Sequence, residues 1–442
     1  MSKKLPFSYV LVLGMMLFAM FFGAGNLIFP AILGQEAGTN VVTVMTGFVL
    51  TGIFLPLASV LTLVYSGKND VEELAARVSP GFGIVFAVVM YLSIGPFFAM
   101  PRTGTVAFEI GIKPFSTQLG ESPTLFIFTL IFFSIACVLS LAPGKVVDVV
   151  GKYLTPVKIL LITLLVAVAI LYPMGPIQAP TSAFETGVFG KGFKEGYLTV
   201  DGIAAFAFAP IIVSGVRARG TTSLKHVSSA MSKASVITGA LLLIMYGALS
   251  YMSATSVNVI GYQSNGGEVL AKVCNYYFGL YGSIILAAII TVACMTTAIG
   301  LVSSCALYFN KILPKISYKK FVVFFSLFSF GVSNLGLTSL IKISAPVLNG
   351  IYPVAICLVV LIMADKLFQG KKRVYQVAIL FSAVVGLFDG LKSANISFFG
   401  LSDKLDAVLP LSSISLGFVV PAIIGGMIGY LWSGVEEKNN LC

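Results

Sequence analysis

The sequence predicts an all-α integral membrane protein of about twelve transmembrane helices, the first and the sixth of them discontinuous. Three features lead there. Hydrophobic residues are 57% of the 442 residues and charged ones 10%, against roughly 25% charged in a soluble chain. The apolar residues gather into about twelve runs of the ~20 residues that cross a bilayer. Two of those runs carry helix-breaking residues halfway along. At a mean hydropathy of +0.99, 28 basic and 17 acidic side chains could not cover a water-soluble surface of this size. A soluble enzyme, a secreted disulfide scaffold and a disordered chain are excluded.

The runs, numbered here as spans 1 to 12, lie near 8–35, 40–65, 81–108, 122–142, 153–172, 199–216, 234–254, 280–308, 318–334, 343–364, 374–392 and 410–432. Span 1 follows Met-Ser-Lys-Lys, is too long for a signal peptide and lacks a cleavage site, so it is expected to stay as a helix. The longest polar connections, 173–198 and 255–279, fall on one side. The second holds GGEVLAKVCNYYFG (266–279), read as a short amphipathic surface helix. An even number of spans puts both termini on the other side, with the polar tail 433–442. That side carries 20 of the 28 lysines and arginines, against 8 opposite, which makes it cytoplasmic. The +11 net charge is thereby explained by cytoplasmic loops. No basic and aromatic cluster points to nucleic acid.

The cysteines (Cys137, Cys274, Cys294, Cys305, Cys357 and Cys442) form no CxxC and mostly sit in apolar runs as small filler. The single histidine, His226, lies in a basic loop, and one histidine excludes a histidine-box metal centre. No nucleophile, base and metal set clusters anywhere, so no enzyme is expected.

Span 1 carries FFGAGN, in which Gly23 and Gly25 flank Ala24, followed by Asn26 and, a turn later, Pro30. Opened backbone at mid-membrane depth survives only where it lines a cavity or binds something. Gly23 and Gly25 could also serve simple close packing of helices. Span 6 carries AAFAFAP, where Pro210 removes a backbone donor among Ala205, Ala207 and Ala209. Spans 1 and 6 are five apart, and an odd offset inverts topology. Paired interruptions in corresponding spans of inverted halves are the sequence mark of a secondary-transporter binding site.

Span 8 adds Thr296 and Thr297, adjacent hydroxyls deep in an apolar run. Each can bond back to its own helix; together, beside a broken helix, they suit a small hard cation. No Asp or Glu falls in the middle of spans 1, 6 or 8, and Glu109, Asp201 and Asp389 sit at or near predicted ends. Proton-coupled carriers favour intramembrane carboxylates, so sodium is favoured over the proton. A zwitterion's carboxylate would suit the half-helix N-termini. In span 3, Pro96, Pro101 and Arg102 fit a helix that ends outside with the arginine at the interface, the favoured reading, or a kinked helix near the substrate path; Lys342 is expected to snorkel outward from span 10.

The segments LVLGMMLFAMFFGAGNLIFPAILGQEAG (11–38), IGPFFAMPRTGTVAFEIG (94–111) and ACMTTAIGL (293–301) resemble the branched-chain amino acid:cation symporter family, of the BrnQ type. The resemblance spans essentially the whole chain. It implies the leucine-transporter-like fold of the amino acid–polyamine–organocation superfamily. In that fold residues 1–172 form a first inverted repeat of five helices, 173–366 a second, and 367–442 two appended helices and a cytoplasmic tail. It implies uptake of leucine, isoleucine and valine across the cell membrane, driven by a sodium ion or, in some members, a proton.

Carried over by motif, Gly23, Ala24, Gly25 and Asn26 would face the substrate's amino and carboxylate groups. Ala205, Phe206, Ala207, Phe208 and Ala209 would wall the pocket, although span 6 lacks the glycine-rich unwinding of better-known relatives. The carbonyls of Ala19, Phe22 and Ala293 and the hydroxyls of Thr296 and Thr297 would bind the cation. A carrier of this fold for another neutral amino acid or a nucleobase is the nearest alternative. An ion channel lies further off, without a filter motif or charged pore ring. Membrane lipid is the only other expected partner.

Overall fold

In the computed structural model, residues 6–68, 70–116, 120–141, 155–218, 223–396 and 408–439 are described. Lys3, Lys4, Lys145, Lys152, Arg219, Lys404 and Cys442 lie outside them. The regular structure in these residues is helical, with no strand among them.

Span 1 is two helices, α1 (Phe7–Phe21) and α2 (Ala24–Ala37), parted at Phe22 and Gly23. Span 2 comprises α3 (Val41–Val49) and α4 (Leu55–Ser66), joined through a wide turn at Leu50–Phe54. A one-turn helix, α5 (Val71–Ala75), is capped by the Asp70 carboxylate. Span 3 is α6 (Pro80–Leu92) and α7 (Ala99–Gly111), kinked where Gly95 leaves helical geometry just before Pro96. Spans 4 and 5 are α8 (Glu121–Ser140) and α9 (Thr155–Leu171).

Span 6 is interrupted, but not at Pro210. The break lies at 198–200, between α10 (Val188–Tyr197) and α11 (Asp201–Ala218), and Pro210 sits inside continuous helix. A proline deletes one ladder bond and bends a helix. Val200 does more: its φ of 69° puts a β-branched residue in the left-handed region, which ends the helix at a cost of about 1–3 kcal/mol. The connection 173–198 therefore contains half of span 6. Its helix α10 packs backbone-to-backbone on α3. A Cβ on Gly192 would fall 1.9 Å from the Val44 carbonyl oxygen, and one on Gly47 2.1 Å from that of Phe189. Such small-residue contact is how membrane helices gain dispersion without a hydrophobic driving force.

Span 7 is α12 (Leu224–Ala254), followed by the single turn α13 (Val257–Ile260). His226 is half-buried in the first turn of α12 rather than in a loop, because the helix starts ten residues before the apolar run. The stretch α14 (Gly266–Ile312) is two helices meeting in a kink at Gly279, φ 59°: the first is the helix expected at 266–279 and the second is span 8. Spans 9 to 11 are α15 (Tyr318–Ser333), α16 (Leu337–Met363) and α17 (Lys372–Ser393). Span 12, α18 (Val419–Asn439), starts later than expected because Leu411 and Ser415 take left-handed turns before it.

Seven helices among the described residues are long and apolar enough to cross a membrane. Large apolar side chains cover the outer faces of these and the shorter apolar helices, among them Phe7, Ile244, Leu387 and Leu431. In water such faces would aggregate; in a bilayer they are solvated. The buried core centres on aromatic residues, including Phe18, Phe22, Phe48, Tyr246 and Tyr352. Lys342 is exposed, and the described cysteines are free, most of them buried.

Candidate functional site

The break in span 1 is a change of hydrogen-bond partner. In an unbroken helix the Gly23 N–H would donate to the Ala19 carbonyl. Here it donates to Phe21 O at 2.6 Å and to Asn26 Oδ1 at 3.2 Å. The Ala19 carbonyl is freed, and α2 begins with its N-terminal N–H groups in the protein interior. Asn26 sits three residues into α2, where its side chain reaches back over that first turn as a cap.

The same amide reaches across the molecule. Asn26 Nδ2 donates to Asp201 Oδ2 and to the Tyr246 hydroxyl. Asp201 is the first residue of α11, so the Asn26 side chain joins the start of one half-helix to the start of another. Asn26 is 2% exposed and Asp201 5%. Tyr246 is held between Phe22 and Phe48, with ring centroids at 6.4 and 5.3 Å. The backbones of the two breaks also touch: a Cβ on Gly25 would lie 3.3 Å from both Thr199 Cα and Thr199 O. Glycine at 25 is what lets them meet.

Arg102 completes the junction, and its place corrects the sequence reading. It lies within α7, 2% exposed, not at an outer interface. The kink at Gly95 redirects α7 inward, so that Nη1 donates to the Leu198 carbonyl in the span 6 break and lies 3.3 Å from the Gly25 Cβ position. Its guanidinium carbon stands 5.1 Å from the Phe29 ring centroid. Nε and Nη2 donate to no described group and are shielded from solvent. A buried charged donor left unmade costs about 1–3 kcal/mol or more.

Span 8 flanks the break from another side. A Cβ on Gly23 would lie 3.8 Å from Thr297 Oγ1. Thr296 and Thr297 both donate to the Ala293 carbonyl, at 2.8 and 3.2 Å. Their hydroxyl oxygens keep lone pairs free while their protons bond back to the helix. Ala19, Gly23, Ala293, Thr296 and Thr297 are half-buried, and Phe22 is fully buried. Thr297 thus brings a neutral hydroxyl oxygen to the span 1 break, the kind of oxygen a small hard cation requires.

The run Ala205, Phe206, Ala207, Phe208 and Ala209 is buried in α11. Phe208 reaches Phe21, ring centroids 6.0 Å apart. Thr199 and Asp201, just ahead of that run, meet Gly25 and Asn26 of the span 1 break, and Leu198 meets Arg102. Asp201 does sit at a helix end, as expected, but that end is internal. The inference that no carboxylate reaches the interior of spans 1, 6 and 8 therefore fails for this residue.

With that geometry in hand, comparison with known proteins is direct. The family model described as "Branched-chain amino acid transport protein" matches residues 7–436. The chain belongs to the branched-chain amino acid transport protein family. It is 51% identical over 440 residues to the branched-chain amino acid permease BrnQ of Bacillus subtilis (strain 168), covering 100% of each chain. The permease of the same name from Escherichia coli (strain K12) is 37% identical over 98% of this chain and 97% of that one. Among solved structures, Mhp1, a nucleobase-cation-symport-1 family transporter in a closed conformation with bromovinylhydantoin bound, aligns at a TM-score of 0.58. The alignment covers 92% of this chain and 95% of that one at 14% identity. MhsT in complex with L-phenylalanine aligns at 0.59, covering 95% and 98%, again at 14% identity. These likenesses establish the leucine-transporter fold for this family member. It is a multi-pass membrane transport protein and not an enzyme.

Arg102, Thr199, Asp201 and Tyr246 were not predicted as site residues. Arg102 and Asp201 did carry a signal, since isolated charges bordering apolar runs are costly and mark function in membrane proteins. Thr199 and Tyr246 carried none beyond their neighbours.

Proposed function

We propose that this transporter imports leucine, isoleucine and valine across the cell membrane by cation symport and alternating access, with sodium as the favoured cation and both termini cytoplasmic. The observation that carries the proposal is the meeting of two chain interruptions, with Asn26 bonded to Asp201 across them. Freed backbone at such a junction can bind the charged ends of a small zwitterion. Phe21 and Phe208 offer apolar surface to its side chain. An apolar pocket rejects polar side chains but separates valine from isoleucine weakly, one methylene being worth about 1–3 kcal/mol.

Sodium would be held by the Ala19 carbonyl, the hydroxyls of Thr296 and Thr297, and the neighbouring Phe22 and Ala293 carbonyls. The Ala19 carbonyl freed from its helix and the Thr297 hydroxyl oxygen facing Gly23 fit such an ion. Binding there would fix the span 1 break relative to span 8. Spans 1, 2, 6 and 7 are tied by glycine contacts, such as Gly192 on Val44 and Gly34 on the Ser250 carbonyl, which a Cβ would approach to 2.2 Å. These contacts support motion of the four as one body.

Asp201 favours a second reading, in which a proton is the coupling ion. Leucine uptake into sealed vesicles, with sodium and pH gradients imposed separately, tests both. Accumulation driven by a sodium gradient at equal pH supports the first. Accumulation driven only by an inward proton gradient supports the second. No leucine accumulation under either sinks the proposal.

A further inference from the structure

We infer that Arg102 is the receptor for the substrate's carboxylate, and so selects amino acids over amines and amides. The inference rests on the function proposed above and assigns a specific role to a residue that the motif comparison leaves aside.

Three observations converge on it. First, Arg102 is 2% exposed, inside α7, where a buried uncompensated charge is tolerated for a purpose. Asp201, the carboxylate at the same junction, accepts from Asn26. Second, the guanidinium stands at the junction of the two breaks, touching Leu198 in one and Gly25 in the other. Third, its hydrogen bonds are incomplete in a particular way. Nη1 is used by the Leu198 carbonyl, while Nε and Nη2 have no described acceptor. Those two nitrogens lie on the same edge of the guanidinium, and their N–H bonds are parallel. That edge is the side-on fork that grips both oxygens of a carboxylate.

The Leu198 bond on Nη1 and the Phe29 ring at 5.1 Å hold the guanidinium in place. A fork fixed in advance loses little freedom when an anion arrives. The first turn of α2 approaches the same guanidinium at Nη1, 3.3 Å from the Gly25 Cβ position, and the helix N-terminus favours an anion nearby. A substrate carboxylate would therefore complete the two unmade bonds, and a neutral carboxamide, lacking the charge, would not.

The test is equilibrium binding to the purified full-length protein in detergent with sodium, comparing leucine with leucinamide. Wild type should bind leucine about 100-fold more tightly or better, because the amide cannot form the two charge-assisted bonds of the fork. Arg102→Gln should weaken leucine to the leucinamide level while leaving leucinamide within about threefold. Arg102→Lys, which keeps the charge and loses the fork, should fall between. A second reading needs no variant: in arginine-labelled wild type, leucine should shift the Arg102 Nε proton downfield and leucinamide should not. Equal binding of the two ligands by wild type, an equal loss of both in Arg102→Gln, or an Nε proton indifferent to leucine overturns the assignment. Failure of wild type to take up leucine at all overturns the proposed function instead. The acid and amide of the amino acid it does carry then replace the leucine pair.

Discussion

Asn26 and Asp201 stand 175 positions apart and share a buried side-chain hydrogen bond. Each belongs to the first turn of a half-helix, so neither interruption is stabilised by local sequence alone. The Asn26 amide is used fully: its oxygen caps Gly23, and its nitrogen serves Asp201 and Tyr246.

Asn26→Ala should be among the most damaging single changes. It strips a buried carboxylate of its donor and the Gly23 N–H of one acceptor, at about 1.5–3 kcal/mol for the charged bond alone. We expect a lower melting temperature in detergent and leucine uptake reduced by at least tenfold. Asp201→Asn keeps the shape and removes the charge, so it should cost more uptake than stability. A wild-type melting curve and wild-type uptake in Asn26→Ala would show that the bond holds nothing together.

Close backbone contact between α3 and α10 makes a second expectation. Gly192→Ala places a methyl group 1.9 Å from the Val44 carbonyl oxygen, so the helices must separate, at about 1–3 kcal/mol. Gly247→Ala is the control, because nothing lies within 4 Å of its Cβ position. Thermal melting of the two purified variants should show destabilisation only in the first. Equal melting temperatures would mean that α10 does not rest on α3 in the membrane.

The two breaks differ in how far local sequence announces them. Span 1 declares its interruption through Gly23, Gly25 and Asn26, residues that disfavour helix for backbone reasons. Span 6 misdirects: Pro210 looks like the breaker, yet the chain opens at Val200, whose β-branched side chain argues against the left-handed turn it adopts. Tertiary contacts impose that turn, and no local pattern encodes them. Arg102 was misplaced for the same reason. One arginine at the edge of an apolar run reads as an interfacial residue until the kink at Gly95 and the Leu198 carbonyl bring it inside. Thr296 and Thr297 were legible as paired hydroxyls, but the closeness of Thr297 to Gly23 is a fact of packing.

Those hydroxyls give a third expectation. Thr296→Ala and Thr297→Ala each remove one neutral oxygen beside the span 1 break while leaving the helix ladder intact. The sodium concentration for half-maximal leucine uptake should rise by at least tenfold, with serine at either position restoring most of it. Half-saturation unchanged in the double alanine variant would remove these residues from the cation site.

The last expectation concerns the end of the helices that carries Arg77 and Asp365, where pH can be read without touching the binding site. Arg77 pairs with Asp365 at 2.7 Å, Tyr375 donates to the same carboxylate at 2.6 Å, and Arg77 Nη1 lies 3.2 Å from the Tyr375 hydroxyl. The cluster fastens the connection between α5 and α6 to the end of α16 and the start of α17. Partial burial pushes the Asp365 carboxyl up, but the bonds from Tyr375 and Arg77 outweigh it and hold the group below its ordinary 3.8. A carboxyl depressed by folding stabilises the folded state above its unfolded value, and that contribution is lost as pH falls through the folded one. Wild type should therefore melt above Asp365→Asn at pH 7, and the gap should close as pH is lowered past 3.8. Because the partners are about a quarter exposed, salt should narrow the gap at pH 7 as well. A gap that persists undiminished in acid would place the stabilisation in packing of the Asp365 side chain rather than in its charge.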